Sequence, residues 1–426
     1  MTDKVFVGKN WYRSDSEIPE RATDDSVARR ELAQYPVPPN SLLWKYVGDL
    51  RVQSALGLRT AVIENMYPQL GQGVSDHSVL FSGKGTFLER VRRSAKPIQS
   101  VIYREPDAAR KSALQVRNFH KSIKGDMPDG RKYHAINAET YYWAHVTFFE
   151  AIYRASELGV LRKRLTRAER EQIFEESKEW YSMYGVDDSA QPQTYAEFEK
   201  YLDHVVHHEL VANGMSETSV RLSERSFSNP KIVKDLSNVE GMKPWVARYV
   251  VRPLIPVAGW YARITTLGSM GPHLRQLGNA QWSAKDDRQY RLLCRVLHLV
   301  TVITDRVVPY RFYYTPEAVE GFTREGLHPK DVTLESARSA LAKARAERAS
   351  AVVESNSEPS AITVASADPA LLDGTHSCVK CDRSLAECSD CGGSGAVDGA
   401  ACDVCAGAGA GCPVHHAAWR ADARVG

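Results

Sequence analysis

The chain has 426 residues, 43% of them hydrophobic and 25% charged, with 55 Lys+Arg against 52 Asp+Glu and a net charge of +3. This length suits two or three units of about 150 residues, or one large helical domain with an appendage, and the composition excludes a largely disordered or fibrous chain. The near balance of charge argues against a protein that lives on phosphate backbones, so no nucleic-acid partner is expected.

Residues 1–40 are polar and proline-punctuated, with Pro36-Val37-Pro38-Pro39 leading into Leu42-Leu43-Trp44, and read as an irregular lead-in. No basic stretch followed by a long apolar run opens the sequence, which predicts a cytoplasmic protein. From 41 to 332 apolar residues recur at steps of three and four, punctuated by stops such as Gly125, Gly159 and Gly185, and predict an all-α body.

Three consecutive predicted helices carry most of the chemistry. In the first, about 86–103, Phe87, Val91, Ala95, Ile98 and Ile102 form an apolar stripe, and Arg90, Arg93 and Ser94 share the face beside it. A basic face is more often solvated than functional. The second follows Pro106-Asp107 and is expected to end at Gly125, with Ala109, Ala113, Val116, His120 and Ile123 turned inward. An inward imidazole is either a hydrogen-bonded core histidine, the commoner case, or a ligand to a metal or to haem iron. The third starts at Asn137 as N-cap and turns Ala138, Tyr141, His145, Phe148 and Ile152 inward, a second histidine within an aromatic wall. Periodicity alone leaves open whether that wall is core or the side of a flat pocket that binds a cofactor, and a different metal held by His120 and His145 is a third reading.

Further on, His204, His207, His208 and Glu209 cluster, but without a visible third ligand they read as a surface helix. The most apolar stretch, Trp245 to Met270, is cut by Arg248, Arg252 and Arg263; its uncharged part, Pro253 to Ala262, is half the ~20 residues that a bilayer span needs. At most peripheral membrane contact is expected. A last helix over 333–350 precedes a Ser/Ala/Pro-rich segment, 351–373, with the composition of a flexible linker.

The tail, 374–426, holds seven of the eight cysteines. Cys388-x2-Cys391-Gly-Gly-Ser-Gly and Cys402-x2-Cys405-Ala-Gly-Ala-Gly are two knuckles, each presenting a pair of thiolates while glycines let the backbone turn tightly, a set that suits tetrahedral Zn2+. The pair resembles half of the cysteine-rich zinc region of DnaJ-type chaperones. Cys378, Cys381, Cys412 and His415, with His416 as the alternative fourth ligand, would complete a second site, giving two structural zincs in a small zinc-ribbon-like tail. Its seven acidic and four basic residues from Asp373 to Gly426 favour a protein contact over nucleic acid.

Returning to the three helices, Leu88-Glu89-Arg90-Val91-Arg92-Arg93-Ser94-Ala95, Val116-Arg117-Asn118-Phe119-His120-Lys121-Ser122-Ile123-Lys124-Gly125, Asp129-Gly130-Arg131-Lys132-Tyr133-His134-Ala135 and Trp143-Ala144-His145 resemble, in order and spacing, the catalytic domain shared by latex-clearing rubber oxygenases and MpaB-type oxygenases. The resemblance spans roughly 40–320 and includes Gly271 to Gly278 and Trp282. It implies an all-α, globin-like core holding haem b, with O2 as co-substrate and oxidation or cleavage of a hydrophobic, isoprenoid-like molecule. By position, His120 matches the proximal iron ligand, and Arg90 and Ser94 match an arginine and a threonine near the haem. Arg93 stands where rubber oxygenases have a lysine able to cap the iron, and a guanidinium, protonated at any working pH, is a poor ligand. For the distal base Asp76 is the choice over Glu64 and His77. The alternative to an oxygenase is a non-catalytic haem-binding or scaffold protein whose zinc tail recruits a partner.

Overall fold

A computed structural model describes residues 36–77, 96–225, 245, 249 and 251–357, and toward the C-terminus 378, 384–397, 400–402, 404–405, 408–414 and 416. Of the residues singled out above, Phe87, Arg90, Val91, Arg93, Ser94, Ala95, Arg248, Cys381 and His415 lie outside the described residues, as do the first part of the predicted 86–103 helix, most of the lead-in and positions 358–373 of the expected linker. The chain divides into two compact units, the first reaching Ala344 and the second beginning its C-terminal part at Arg345.

The first unit is helical, as expected. It opens with α1 (Leu42–Val47), α2 (Leu50–Asn65) and α3 (Pro68–His77). Helical residues 96–103 (α4) are followed by α5 (Pro106–His120) and by a hairpin of β1 (Lys124–Asp126) with β2 (Lys132–His134). Next come α6 (Ala138–Leu158), α7 (Arg167–Ser182), α8 (Tyr195–His204) running into a π-turn (Val205–Glu209), and α9 (Gly214–Arg225). The unit closes with α10 (Arg252–Leu277), α11 (Ala284–Val307), α12 (Pro316–Arg324) and the start of α13 (Leu334–Ser357), so positions 351–357, assigned to the linker above, are helical.

Local chemistry sets these boundaries. At α7 and α8 a threonine, Thr166 or Thr194, accepts the N–H three residues on, while Glu169 or Glu197 accepts the threonine's own N–H; Ser283 and Asp286 do the same for α11. Helix α6 stops at Gly159, whose φ of 85° is the left-handed cap that glycine adopts without a Cβ clash. Inside α10, Gly271 (φ 78°, ψ 166°) followed by Pro272 breaks the helix into two stretches, because proline supplies no N–H and crowds the preceding turn.

Helix α2 packs against α6 and α10, and the core they share is aromatic, with Trp44, Trp143, Trp180, Phe149, Phe174 and Phe198 fully buried. One ion pair crosses it. Arg59 of α2 donates to both oxygens of Glu150 on α6, at 2.6 and 3.2 Å, and to the Ser269 carbonyl of α10 at 3.2 Å. A cavity of about 70 Å³ lies against this pair, lined also by Trp143, Met270 and Leu274. The second unit contains two further two-stranded pairs, β3 (Ala386–Glu387) with β6 (Ala410–Gly411) and β4 (Ala396–Val397) with β5 (Ala400–Ala401). Among the described residues, no helix is long and apolar enough to cross a membrane.

Candidate functional site

The structure corrects the second of the three key helices. It ends at His120, not at Gly125, which instead sits in β1 opposite Tyr133. A Cβ on Gly125 would lie 2.9 Å from the Tyr133 ring, so the glycine is there to let the ring lie flat on the strand. The inward face is also rotated: Ala109, Ala113 and Arg117 are the buried residues of α5, and His120 is only half-buried at the helix end. Arg117 turns inward because its guanidinium finds an acceptor there, donating to the Gly185 carbonyl at 3.2 Å.

His120 is held by its own helix. Its Nδ1 lies 2.7 Å from the Val116 carbonyl, one turn back, so Nδ1 carries the hydrogen and Nε2 is the basic nitrogen. The ring meets Tyr141 of α6 edge-on at 5.8 Å. Tyr141 in turn touches Tyr184 at 5.5 Å and Tyr181 at 6.2 Å, and its hydroxyl is buried with no hydrogen-bond partner among the described residues. The face of α5 turned away from the core, with Arg110, Leu114, Asn118 and Phe119, borders a wide open depression.

His145 lies deeper, boxed by the rings of Trp180 at 4.8 Å, Tyr181 at 5.1 Å and Phe149 at 5.5 Å. Nε2 donates to the Ser177 carbonyl at 3.1 Å, and Nδ1 is buried without a partner among the described residues. Burial pushes the imidazole down to about 3, against the pull of the Ser177 carbonyl, so the ring is neutral. The two histidines meet through Tyr141, Tyr181 and Tyr184 rather than each other, an arrangement that does not make one two-histidine metal site.

Asp76 stands exposed at the end of α3. Its Oδ2 accepts the Tyr133 hydroxyl at 2.7 Å and its Oδ1 accepts Gln72 Nε2 at 2.8 Å. His77 beside it lies 3.3 Å from the Lys124 carbonyl, and His134 donates to the Lys121 carbonyl at 3.0 Å. The hairpin thus ties the end of α3 to the end of α5 and brings the Asp76 and His120 ends to one corner of the unit. Sequence periodicity carries no signal for the Tyr133–Asp76 bond, which joins positions 57 apart. At the π-turn, His207 and His208 are exposed, as a surface helix would have them, whereas His204 and Glu209 are half-buried, with His204 Nε2 3.4 Å from Glu209 Oε1 and the His204 ring 5.1 Å from that of His208.

In the tail, Cys388, Cys391, Cys402 and Cys405 converge with all four sulfurs within 4.8 Å of one another, a set that can hold a metal ion. Cys388 and Cys402 sulfurs are 3.8 Å apart, Cys391 and Cys405 sulfurs 3.7 Å. A tetrahedron with metal–sulfur bonds of about 2.3 Å has edges of about 3.8 Å. The knuckle glycines do what the spacing predicts: the Gly395 and Gly409 amides donate to Cys391 and Cys405 sulfur at 3.2 and 3.3 Å, from backbone at φ 75° and 70°. Cys378 and Cys412 are buried together with Leu385 in a separate small cluster, next to Val414.

With this geometry in view, comparison with known proteins gives one match. The family model described as ER-bound oxygenase mpaB/B'/Rubber oxygenase, catalytic domain, matches residues 44–299. No curated protein and no solved structure matches the chain.

Proposed function

Because the chain belongs to the MpaB/rubber-oxygenase catalytic-domain family, and is on that ground an oxygenase, we propose that it is a haem b-dependent enzyme acting with O2 on a hydrophobic small molecule of isoprenoid, terpenoid or polyketide type. The observation that carries this reading is the state of His120. The Nδ1–H bond to the Val116 carbonyl selects the tautomer whose Nε2 is basic, the form in which imidazole binds iron, and orients the ring as an outer partner does in metal sites. The buried Tyr141 hydroxyl beside it supports the same reading, since an unpaired buried hydroxyl costs about 1–3 kcal/mol and a further bound group would relieve it.

Haem b, when bound, supplies the iron at which O2 is activated. The chain's own residues would do the rest. His120 would hold the iron from the end of α5, its ring oriented by the Val116 carbonyl, and Arg117 fixes that helix end through the Gly185 carbonyl. Tyr141, Tyr142 and the aromatic residues of α7 exclude water from the inner wall, where His145 stays neutral. Asp76, oriented by Tyr133 and Gln72, takes a proton from the substrate. The resemblance implies that Arg90 and Ser94 would hydrogen-bond near the cofactor, and that Arg93, a poor iron ligand, would pair with a propionate instead of capping the iron. In the tail, Cys388, Cys391, Cys402 and Cys405 hold one structural Zn2+, the sulfur spacing being that of a tetrahedral thiolate site; a second would fall, from sequence spacing alone, to Cys378, Cys381, Cys412 and His415. The metal-set tail serves as a protein-contact module.

The test is the ultraviolet-visible spectrum of the purified full chain with added hemin. A Soret band that His120→Ala abolishes and His145→Phe retains, together with oxygen uptake on an isoprenoid substrate that Asp76→Asn slows, is expected. A chain that refuses hemin, or keeps the band without His120, ends the haem reading and leaves the family-level oxygenase assignment standing.

A further inference from the structure

Helix α11 exposes an unusual face. Leu292, Val296, Leu299, Val300, Ile303 and Val307 are 46 to 68% exposed, and their steps of three and four place them on one stripe about four turns long. Scattered apolar residues on a surface are ordinary, whereas a continuous row marks a contact. The row is continued by Leu254, Val257 and Trp260 of α10, with Trp260 Nε1 donating to Gln289 Oε1 of α11 at 3.1 Å. Beyond the helix end, Phe312 is also exposed, at 65%.

Charge selects the occupant. Arg288, Arg295 and Arg306 are exposed and follow one another at steps of seven and eleven, which returns them to a single edge of the stripe. The helix's three acidic residues are already engaged: Asp286 with Arg263 at 2.7 Å, Asp287 with Arg291 at 2.6 Å, and Asp305 with Arg51 at 2.6 Å. The face therefore offers apolar side chains bordered by cations. A second copy of the chain would bring guanidinium edges to an apolar row without counter-charge, whereas an anionic phospholipid surface answers both features, with acyl chains for the row and phosphate for the edge.

We propose that α11, with the first turns of α10, docks the protein in the plane of an anionic phospholipid bilayer, as a peripheral contact with no spanning helix. Leu292, Leu299 and Ile303 enter the acyl boundary, Trp260 and Phe312 lie at its rim, and Arg288, Arg295 and Arg306 meet the headgroups. This assignment is independent of the haem reading, since it uses none of the residues placed at the oxygenase site.

The experiment is co-flotation of the full chain with vesicles of phosphatidylcholine alone or with about a third phosphatidylserine, at low and high salt. Binding to the anionic vesicles that weakens in high salt and falls roughly tenfold or more in Leu299→Glu/Ile303→Glu is expected, with Arg288→Glu/Arg295→Glu/Arg306→Glu losing the preference for anionic lipid. Because all these positions are exposed, the variants should keep the parent's circular dichroism and melting point, which separates lost docking from lost folding. Absence of parent binding to both vesicle types, or equal binding by parent and variants, overturns the proposal. So does a dimer in light scattering that Leu299→Glu dissolves while vesicles are ignored, which would assign the face to a second copy.

Discussion

Replacing Arg59 by methionine probes the buried Arg59–Glu150 ion pair. Arg59 and Glu150 side chains are each 3% exposed, and the substitution deletes two donations to the carboxylate and one to the Ser269 carbonyl. Removing one partner of a buried pair costs about 3–5 kcal/mol. The lower end applies here, because Arg154 still donates to Glu150 Oε1 at 2.6 Å. For a unit of about 310 residues, unfolding entropy of about 2.1 cal/mol/K per residue turns about 3 kcal/mol into a melting point lower by roughly 4–5 °C, read by calorimetry or circular dichroism. The pair also leaves an acid signature. Burial pushes the Glu150 carboxyl up, but Arg59 and Arg154 hold it below its ordinary 4.5, so its contribution is present above that value and is lost as pH falls through the lowered folded one. Arg59→Met should move that acid loss to higher pH. The double variant Arg59→Met/Glu150→Leu should recover most of the stability, since Arg154 is partly solvated and keeps Glu157 at 2.9 Å. A single variant that melts within a degree of the parent, or a double variant no better than the single, refutes the reasoning.

Metal analysis of the purified chain should find about two zinc ions, and Cys402→Ser should remove one of them; one zinc in the parent would refute the second site, and a metal-free chain both. Chelation should unfold the tail, which has few apolar residues beyond its cysteines, while the helical signal of the first unit persists. For His145 the sign is set by burial, which lowers the imidazole from its ordinary 6.5 to about 3: the unfolded chain takes up a proton first, so stability drains as pH falls from 6.5 toward 3 at about 1.4 kcal/mol per pH unit. His145→Phe should flatten urea-melt stabilities over that interval, and an unchanged slope would show that another group is responsible.

What the sequence revealed and what it hid follow from the range of the interactions. The end of the helix over Ala138–Leu158 was legible in Gly159, because its left-handed cap is local; Asn137 does stand at the N-cap position, but its side chain makes no capping hydrogen bond. The cysteine knuckles were legible for the same reason, their sulfurs being gripped by amides four residues away. Ala109 and Ala113 were read correctly as inward, but a hydrophobicity count could not turn Arg117 inward over His120, since that choice depends on the Gly185 carbonyl 68 positions on. Nor could it tell that Gly125 serves a tyrosine in the next strand and not the end of a helix. Arg59 and Glu150, 91 positions apart, carry no local signal that they pair. The motif resemblance led to the oxygenase family, which helical periodicity alone did not name.

Glu176 shows how tightly the start of this unit is bound to its middle. Its two oxygens accept the Leu42 and Leu43 amides at 3.1 and 2.8 Å, so the first free N–H groups of α1 are satisfied by a carboxyl from α7, with Gln172 assisting at 3.0 Å. Burial holds that carboxyl up, to about 7, although all three donors pull the other way. Ser41 caps the Trp44 amide locally at 3.2 Å, but the Leu42 and Leu43 amides find their acceptor only on the later helix. The segment around Trp44 is thus secured by a residue more than a hundred positions further along the chain, and a proton on Glu176 would loosen that grip by turning one of its two acceptor oxygens into a donor.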